Sequence, residues 1–305
     1  MKRAGPLGAA VGVLLDRVAG EPPISPHPVA LLGRALGATE RVLYRDHRAA
    51  GVVHAASGLA MGAGAGMIVR ATSIATYVAV AGRGLRDAAR AVDDALADDD
   101  VERARSLIPA LVGRDPSAMD VKELCRAAVE SVAENTVDAV VAPALWGAVL
   151  GAPGALGFRA VNTMDSMVGH RSPRYERYGW ASARLDDVAG WLPARATAAL
   201  VAAVRPAQAR EVWRATRRDA PSHPSPNAGM AESAFAAALG LRLGGENRYG
   251  GRVEVRPSLG DGRPPERHDI GRAVRLADDV GLALIGGLAA LGAPELWRRK
   301  PRRRR

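Results

Sequence analysis

Residues 139–158 (AVVAPALWGAVLGAPGALGF) run without a formal charge for the length that crosses a hydrocarbon core, about 20 residues. Such a segment folds either as a lipid-facing span or as a helix buried inside a soluble all-α core. It is not alone. Residues 49–69 (AAGVVHAASGLAMGAGAGMIV) are also uncharged, and residues 4–15, 188–204 and 280–294 are shorter apolar stretches. Their many Gly and Ala residues permit close helix–helix approach while lowering each segment's hydropathy. Between them, residues 84–111 and 120–134 place apolar residues at helical spacing among charges, the pattern of amphipathic helices. Asp120 followed by Glu123 matches a capping box. Residues 205–278 are the most polar region and are expected to form a soluble face, with a short hairpin near 253–259. No strand–helix alternation indicates a parallel sheet. The expected fold is therefore a single all-α, polytopic helical membrane domain spanning residues 1–305, with amphipathic helices and a polar, loop-rich region.

Charge patterning refines the expectation. The chain carries 42 Lys and Arg against 32 Asp and Glu, a net charge of +10, and ends in the basic run 298–305. A basic tail after an apolar segment marks the cytoplasmic side of a cell membrane. Nucleic-acid binding is not expected, because zinc-finger, RNP and aromatic-interleaved basic patterns are all missing. A single cysteine, Cys125, excludes an intrachain disulfide framework, and its place in a helical pattern makes it a packing residue. No phosphate-binding loop, dinucleotide fingerprint or nucleophile elbow is present. Apart from Lys122, the lysines (Lys2 and Lys300) lie at the termini, which argues against a lysine Schiff-base enzyme.

The chemistry-bearing residues crowd around the uncharged run. Glu130, Glu134 and Asp138 fall at i, i+4 and i+8, so an uninterrupted α-helix puts them on one face. Asn135 sits beside them. Three such carboxylates suit Mg²⁺ together with substrate phosphates; a solvated acidic face, or pairing with the abundant arginines, is the competing reading. Asn162 and Asp165 follow the run, and Asp186-Asp187 precede the next apolar one. Ionisable groups at membrane boundaries are costly unless functional or paired. Arg171, Arg174, Arg184 and Arg195 are positioned in sequence to pair with them or hold phosphate. Ser225 or Asn227 is expected to cap a helix over the following segment, whose N-terminus is an anion site. His27, His170 and His223 are candidate bases.

Taken in order, these segments resemble a known family. GEPPISPHPVALLGRALGATER, VGRDPSAMDVKELCRAAVESVAENTVDAVVAPALWG, GALGFRAVNTMDSMVGHRSPRYERYGWASARLDDVAGWLPAR and SPNAGMAESAFAAALGLRLGG are similar to the CobD/CbiB family of cobalamin biosynthesis, from about residue 12 to about residue 280. The resemblance implies a multi-pass membrane ligase. It joins aminopropanol, or its phosphate, to a propionate of adenosylcobyric acid and gives adenosylcobinamide or its phosphate. The reaction class implies ATP and Mg²⁺, and other corrinoid-pathway enzymes are possible partners.

On this reading Glu130, Glu134, Asn135, Asp138, Asn162, Asp165, Asp186 and Asp187 form the catalytic set. Glu134, Asp138 and Asp165 are the metal ligands, and His27, His170, Arg171, Arg184, Arg195, Ser225 and Asn227 bind substrate. Two positions depart from the family pattern: Glu21 stands where Asp is usual, and Gly190 where Asn is common. The alternative functions are a transporter or regulatory membrane protein on the same scaffold. A pyridoxal-phosphate decarboxylase that shares the family's name is disfavoured by the lysine pattern.

Overall fold

The structure, a computed structural model, describes residues 5–117, 119–170, 172–249 and 252–298. In chain order its helices are α1 (Gly5–Ala19), α2 (Pro28–Leu43), α3 (Arg48–Val69), α4 (Thr72–Ala79), α5 (Gly82–Ala97) and α6 (Val101–Leu107). Next come α7 (Val121–Thr136), α8 (Ala142–Leu150), α9 (Ala152–Met164), α10 (Trp180–Val204), α11 (Ala209–Asp219) and α12 (Ala228–Leu239). A hairpin of β1 (Leu243–Tyr249) and β2 (Arg252–Leu259) then precedes α13 (Arg267–Arg298). The antiparallel pairing of Leu243 with Leu259 and of Glu246 with Val255 makes the hairpin longer than its apolar pattern predicts. The fold is all-α apart from this ribbon. The chain gathers into two compact units.

The first unit is formed by the described parts of Met1–Ala81, Ala142–Ala189 and Leu284–Arg305. Its packing rests on small residues. Gly58, Gly62 and Gly66 recur every fourth residue on α3, so they share one stripe, and α9 lies directly against it. A Cβ on Gly58 would sit 2.1 Å from Met164 Sδ, and one on Gly62 would sit 2.5 Å from the Leu156 carbonyl oxygen. Only glycine admits this approach. The polar residues inside the unit are tied together. Buried Glu40 accepts from the Tyr175 hydroxyl at 2.8 Å and from Arg174 at 3.3 Å.

Much of this unit's outer surface is apolar, with Val11, Leu14, Val18, Val52, Met67 and Ile68 all exposed. Among the described residues, two helical segments are long and apolar enough to cross a membrane, Arg48–Val69 and Arg267–Pro294. Each has a mean hydropathy of 1.6, and only 28% and 33% of their apolar windows are buried.

Three of the expected apolar stretches take other forms. Residues 139–158 are not one span. Gly151, at φ 71°, ends α8 and starts α9, and the two helices pack on each other. The left-handed backbone at Gly151 turns the chain where hydropathy sees continuity. Of residues 4–15, the described ones from Gly5 on lie in the 15-residue α1, and residues 188–204 lie in α10, which carries Pro193 inside it. Neither meets the length and hydropathy of a span.

The second unit comprises Gly82–Val141 and Gly190–Ala283. Its central helix is α12, in which every residue but Met230 is buried. Helix α12 is alanine-rich (AGMAESAFAAAL), and small side chains let neighbouring helices close around it. Gly240, at φ 67°, ends it in a left-handed cap, as expected of glycine there. The Asp120/Glu123 capping box on α7 forms as predicted. Cys125 is fully buried, and burial raises its thiol pKa to about 12, so it packs and does not react at neutral pH.

Candidate functional site

Helix α7 presents Glu130 and Glu134 one turn apart, facing α12 and the β-hairpin. Glu130 is buried and meets Arg114 at 2.5 Å, a pair whose side chains are 3% and 10% exposed. Its second oxygen accepts the Gly244 amide at 2.8 Å, which ties α7 to the start of β1. One turn on, the Glu134 side chain reaches solvent. Desolvation by the surrounding protein nonetheless raises its pKa above the usual carboxylate range. Arg256 and Arg114 oppose the shift, and the Glu130 charge adds to it. Asn135 turns back onto α7, donating to the Ser131 carbonyl at 3.0 Å and to the Ser131 hydroxyl at 3.1 Å.

Two residues outside the expected catalytic set complete this cluster. Glu232 lies in the middle of α12 and is 4% exposed. Burial, with the nearby Glu130 and Glu134 charges, drives its pKa well above the ordinary value against the pull of Arg256 and Arg114, which favours the protonated form. His223 is 3.8 Å from it. Arg256 contacts His223 Nε2 at 2.7 Å. A guanidinium only donates, so Nε2 accepts and the ring proton sits on Nδ1. Nδ1 lies 3.0 Å from the Ser225 carbonyl and 3.1 Å from the Ser225 amide, so Ser225 holds the ring from this side. Burial lowers the His223 pKa, so the ring is neutral near pH 7. Arg256 also pairs with Glu254 at 3.0 Å. A lone glutamate in an alanine helix was the signal for Glu232. His223 was a candidate base by type alone, and nothing in the sequence pairs Arg114 or Arg256 with it.

The SPNAG segment continues the cluster. Asn227 stands at the N-cap position of α12, and the Ser225 hydroxyl supplies the side-chain acceptor there, taking the Asn227 and Ala228 amides at 3.3 and 3.2 Å. Arg195 donates to the Pro226 carbonyl at 3.4 Å and lies 4.2 Å over the Trp191 ring. Asn227 is buried, and its amide fills the space beside Gly190. A Cβ there would be 2.5 Å from Asn227 Nδ2. The missing side chain at 190 is thus matched by an asparagine from α12's start. The second unit in this way brings together Glu130, Glu134, Asn135, Arg195, Ser225 and Asn227.

Asp138 departs from the expected stripe. The α-helix ends at Thr136 and widens into a π turn over Val137–Val141, so the i, i+4, i+8 alignment does not extend to Asp138. π turns recur at functional sites, and a second one, Asp165–Gly169, begins at Asp165.

The other expected residues lie in the first unit. Asn162 donates to Asp186 at 3.4 Å, and Arg184 pairs with Asp187 at 3.0 Å. Asp165 folds over Gly169, where a Cβ would collide with its carboxylate. His170 is exposed, with its ring edge-on to Tyr175. His27 caps α2, accepting the Val29 amide at 3.3 Å. Arg171 and the tail beyond Arg298 lie outside the described residues. Among the described residues, no three His, Cys, Asp or Glu side chains converge to hold a metal unaided. The predicted trio Glu134, Asp138 and Asp165 is therefore not a preformed metal cage.

A family model described as CobD/Cbib protein matches residues 9–277. A cobalamin biosynthesis protein CobD of Mycobacterium tuberculosis (strain ATCC 25618 / H37Rv) is 49% identical over 310 residues, covering 97% of this chain and 97% of that protein. A protein of the same name from Geobacter metallireducens is 41% identical over 279 residues, covering 85% and 88%. Another, from Rhodobacter capsulatus, is 45% identical over 221 residues, covering 72% and 69%. No solved structure matches the chain.

Proposed function

Because this chain belongs to the CobD/CbiB family, we propose that it acts in cobalamin biosynthesis as an amide-forming ligase. It joins aminopropanol or aminopropanol phosphate to a propionate carboxylate of adenosylcobyric acid, with ATP consumed. The observation that carries this reading is the cluster of Glu130, Glu134, Glu232 and His223 with the guanidiniums of Arg114 and Arg256. A carboxylate is a poor acyl donor. Phosphoryl transfer to the propionate oxygen releases ADP and leaves an acyl phosphate. The amine nitrogen then attacks the acyl carbon, the C–O bond to phosphate breaks, and phosphate departs.

The chain's own groups suit each demand. Arg114 and Arg256 stabilise negative charge that develops on phosphoryl and carboxyl oxygens. Glu134 is accessible and has a raised pKa, which fits it to take the proton released when the amine nitrogen becomes an amide. Glu232 keeps its proton and so adds no second negative charge beside the substrate carboxylate. Magnesium needs no preformed cage here, since it is commonly held by one or two carboxylates plus substrate phosphates. In the second unit Asp138 is the carboxylate that would hold it, and it would neutralise the nucleotide phosphates.

The same reading places the protein in the cell membrane as a multi-pass protein with its basic C-terminus in the cytoplasm. The apolar surface of the first unit and the two spanning-length segments support this.

The test is an assay of purified protein with adenosylcobyric acid, Mg-ATP and each amine, followed by mass measurement of the corrinoid. A mass increase equal to the amine less water is expected. Glu134→Gln and Asp165→Asn should lose that product while inserting into membranes normally. Full activity in both would sink the site assignment.

A further inference from the structure

One charged face of the second unit has no part in the acid cluster. On α11 (AREVWRATRRD) the buried residues are Val212, Ala215, Thr216 and Asp219, which recur at helical spacing and face the protein. Arg210, Trp213, Arg214 and Arg217 recur at the same spacing on the opposite side, and all four are exposed. With Arg218 they line a groove of about 680 Å³ that is open to solvent.

Two of these cations are balanced within the protein. Arg214 pairs with Glu211, and Arg218 pairs with Asp219 and Asp261, each at 2.6 Å. Arg210 and Arg217 have no carboxylate partner among the described residues. Trp213 stands between them and is 42% exposed. Arginines with a tryptophan on one exposed helix face suit a membrane interface, where the cations meet anionic headgroups and the ring rests at headgroup level.

The neighbouring contacts set the position of this face. Arg205, just before α11, donates to Asp279 of α13 at 2.7 Å. Asp279 is the last charged residue before the uncharged stretch 280–294. The pair therefore holds the start of α11 at the level where α13 turns apolar. The shape of the groove agrees. Small-molecule sites are concave and enclose their ligand, whereas this groove is lined by the side chains of a single helix. One ring also gives no series of stacking platforms for a nucleic-acid strand. A broad anionic surface can meet all of these side chains together.

We infer that α11 is an interfacial helix that docks on the headgroups of anionic phospholipid. Trp213 lies at headgroup level, and Arg210 and Arg217 lie against the lipid phosphates. The inference rests on the membrane placement proposed above, and adds to it a lipid class and a fixed depth for the unit that carries the acid cluster.

Tryptophan quenching in vesicles tests this. The full chain is reconstituted in phosphatidylcholine with a constant share of lipid brominated near the headgroup, and phosphatidylglycerol replaces unbrominated lipid in steps. The emission lost in Trp213→Phe isolates the Trp213 signal. That signal should be quenched as phosphatidylglycerol rises, and high salt should weaken the effect. Arg210→Gln with Arg217→Gln should need a several-fold higher phosphatidylglycerol fraction for the same quenching, since each arginine near an anionic surface contributes on the order of five-fold. Neither side chain is paired within the protein, so the double variant should keep the wild-type melting point. Trp213 unquenched at every phosphatidylglycerol fraction, or one curve for wild type and double variant, would overturn the inference. So would Trp213 emission that responds to inorganic phosphate or a short oligonucleotide in detergent and to no lipid. Quenching with the expected variant pattern, in a chain that high salt then washes off the vesicles, would support the α11 surface and refute the multi-pass reading.

Discussion

Replacing Glu130 by Gln tests whether the cluster is organised around a buried ion pair. The carboxylate and Arg114 are 3% and 10% exposed and 2.5 Å apart. Glutamine keeps the shape and leaves an oxygen for the Gly244 amide, which the native side chain accepts at 2.8 Å. It removes the charge that Arg114 meets at 2.5 Å. Breaking one partner of a buried pair costs about 3–5 kcal/mol, because the remaining charge is stranded away from water. At roughly 2–4 °C per kcal/mol for a unit of 150–250 residues, the unfolding midpoint should fall by on the order of 6–10 °C or more. Tryptophan fluorescence during heating in detergent reads this.

Removing both charges separates the pair from its neighbours. Glu130→Gln with Arg114→Met leaves no stranded cation, so the double variant should recover most of the loss, as buried pairs replaced by neutral groups often do. A single-variant shift below about 1 °C, or a double variant as unstable as the two singles summed, would refute the reasoning.

Other outcomes follow from the same geometry. Gly62→Val drives a side chain into the Leu156 carbonyl and Ala160, so thermal unfolding should show a loss of about 1–3 kcal/mol. Gly64→Ala, with nothing within 4 Å of the new carbon, should stabilise α3 by up to ~1 kcal/mol. Glu232 has a raised folded pKa, so its contribution is complete below the ordinary glutamate value and is lost as pH rises through the folded value. Wild-type stability should therefore decline over that window, and Glu232→Gln should flatten the profile; parallel slopes for the two proteins would contradict a proton held there. Arg256 is the chief group holding Glu134 down. In a pH–rate profile of product formation, Arg256→Gln should move the acid limb to higher pH. Gly190→Asn should destabilise the chain by crowding Asn227, and a compensating Asn227→Gly should restore much of the loss.

What was legible in the sequence was what neighbours along the chain decide. The ends of α3 follow the uncharged run 49–69 to within a residue, the Asp120/Glu123 box starts α7, and Gly240 stops α12. What escaped was decided by backbone direction or by distant partners. Residues 139–158 read as one span because hydropathy counts composition and is blind to the left-handed turn at Gly151. The Glu130–Glu134–Asp138 stripe assumed 3.6 residues per turn, and the π turn after Thr136 ends that period. Arg114 and Arg256 reach the cluster from loop and strand positions that no helical spacing encodes, and of the other expected residues Asn162, Asp165, Asp186 and Asp187 belong to the first unit.

Glu232 stands between these cases. An acid in the centre of AGMAESAFAAAL has small apolar residues on every side of its helix, which is the composition of a helix buried all round. A carboxylate in that setting must find a cation or keep a proton, and this follows before any partner is known. Two cations stand nearby but are shared, Arg114 with Glu130 and Arg256 with Glu254 and His223. Burial and the Glu130 and Glu134 charges outweigh these cations, and the Glu232 pKa rises. A raised pKa there means that Glu232 adds less negative charge around two guanidiniums already paired with Glu130 and Glu254.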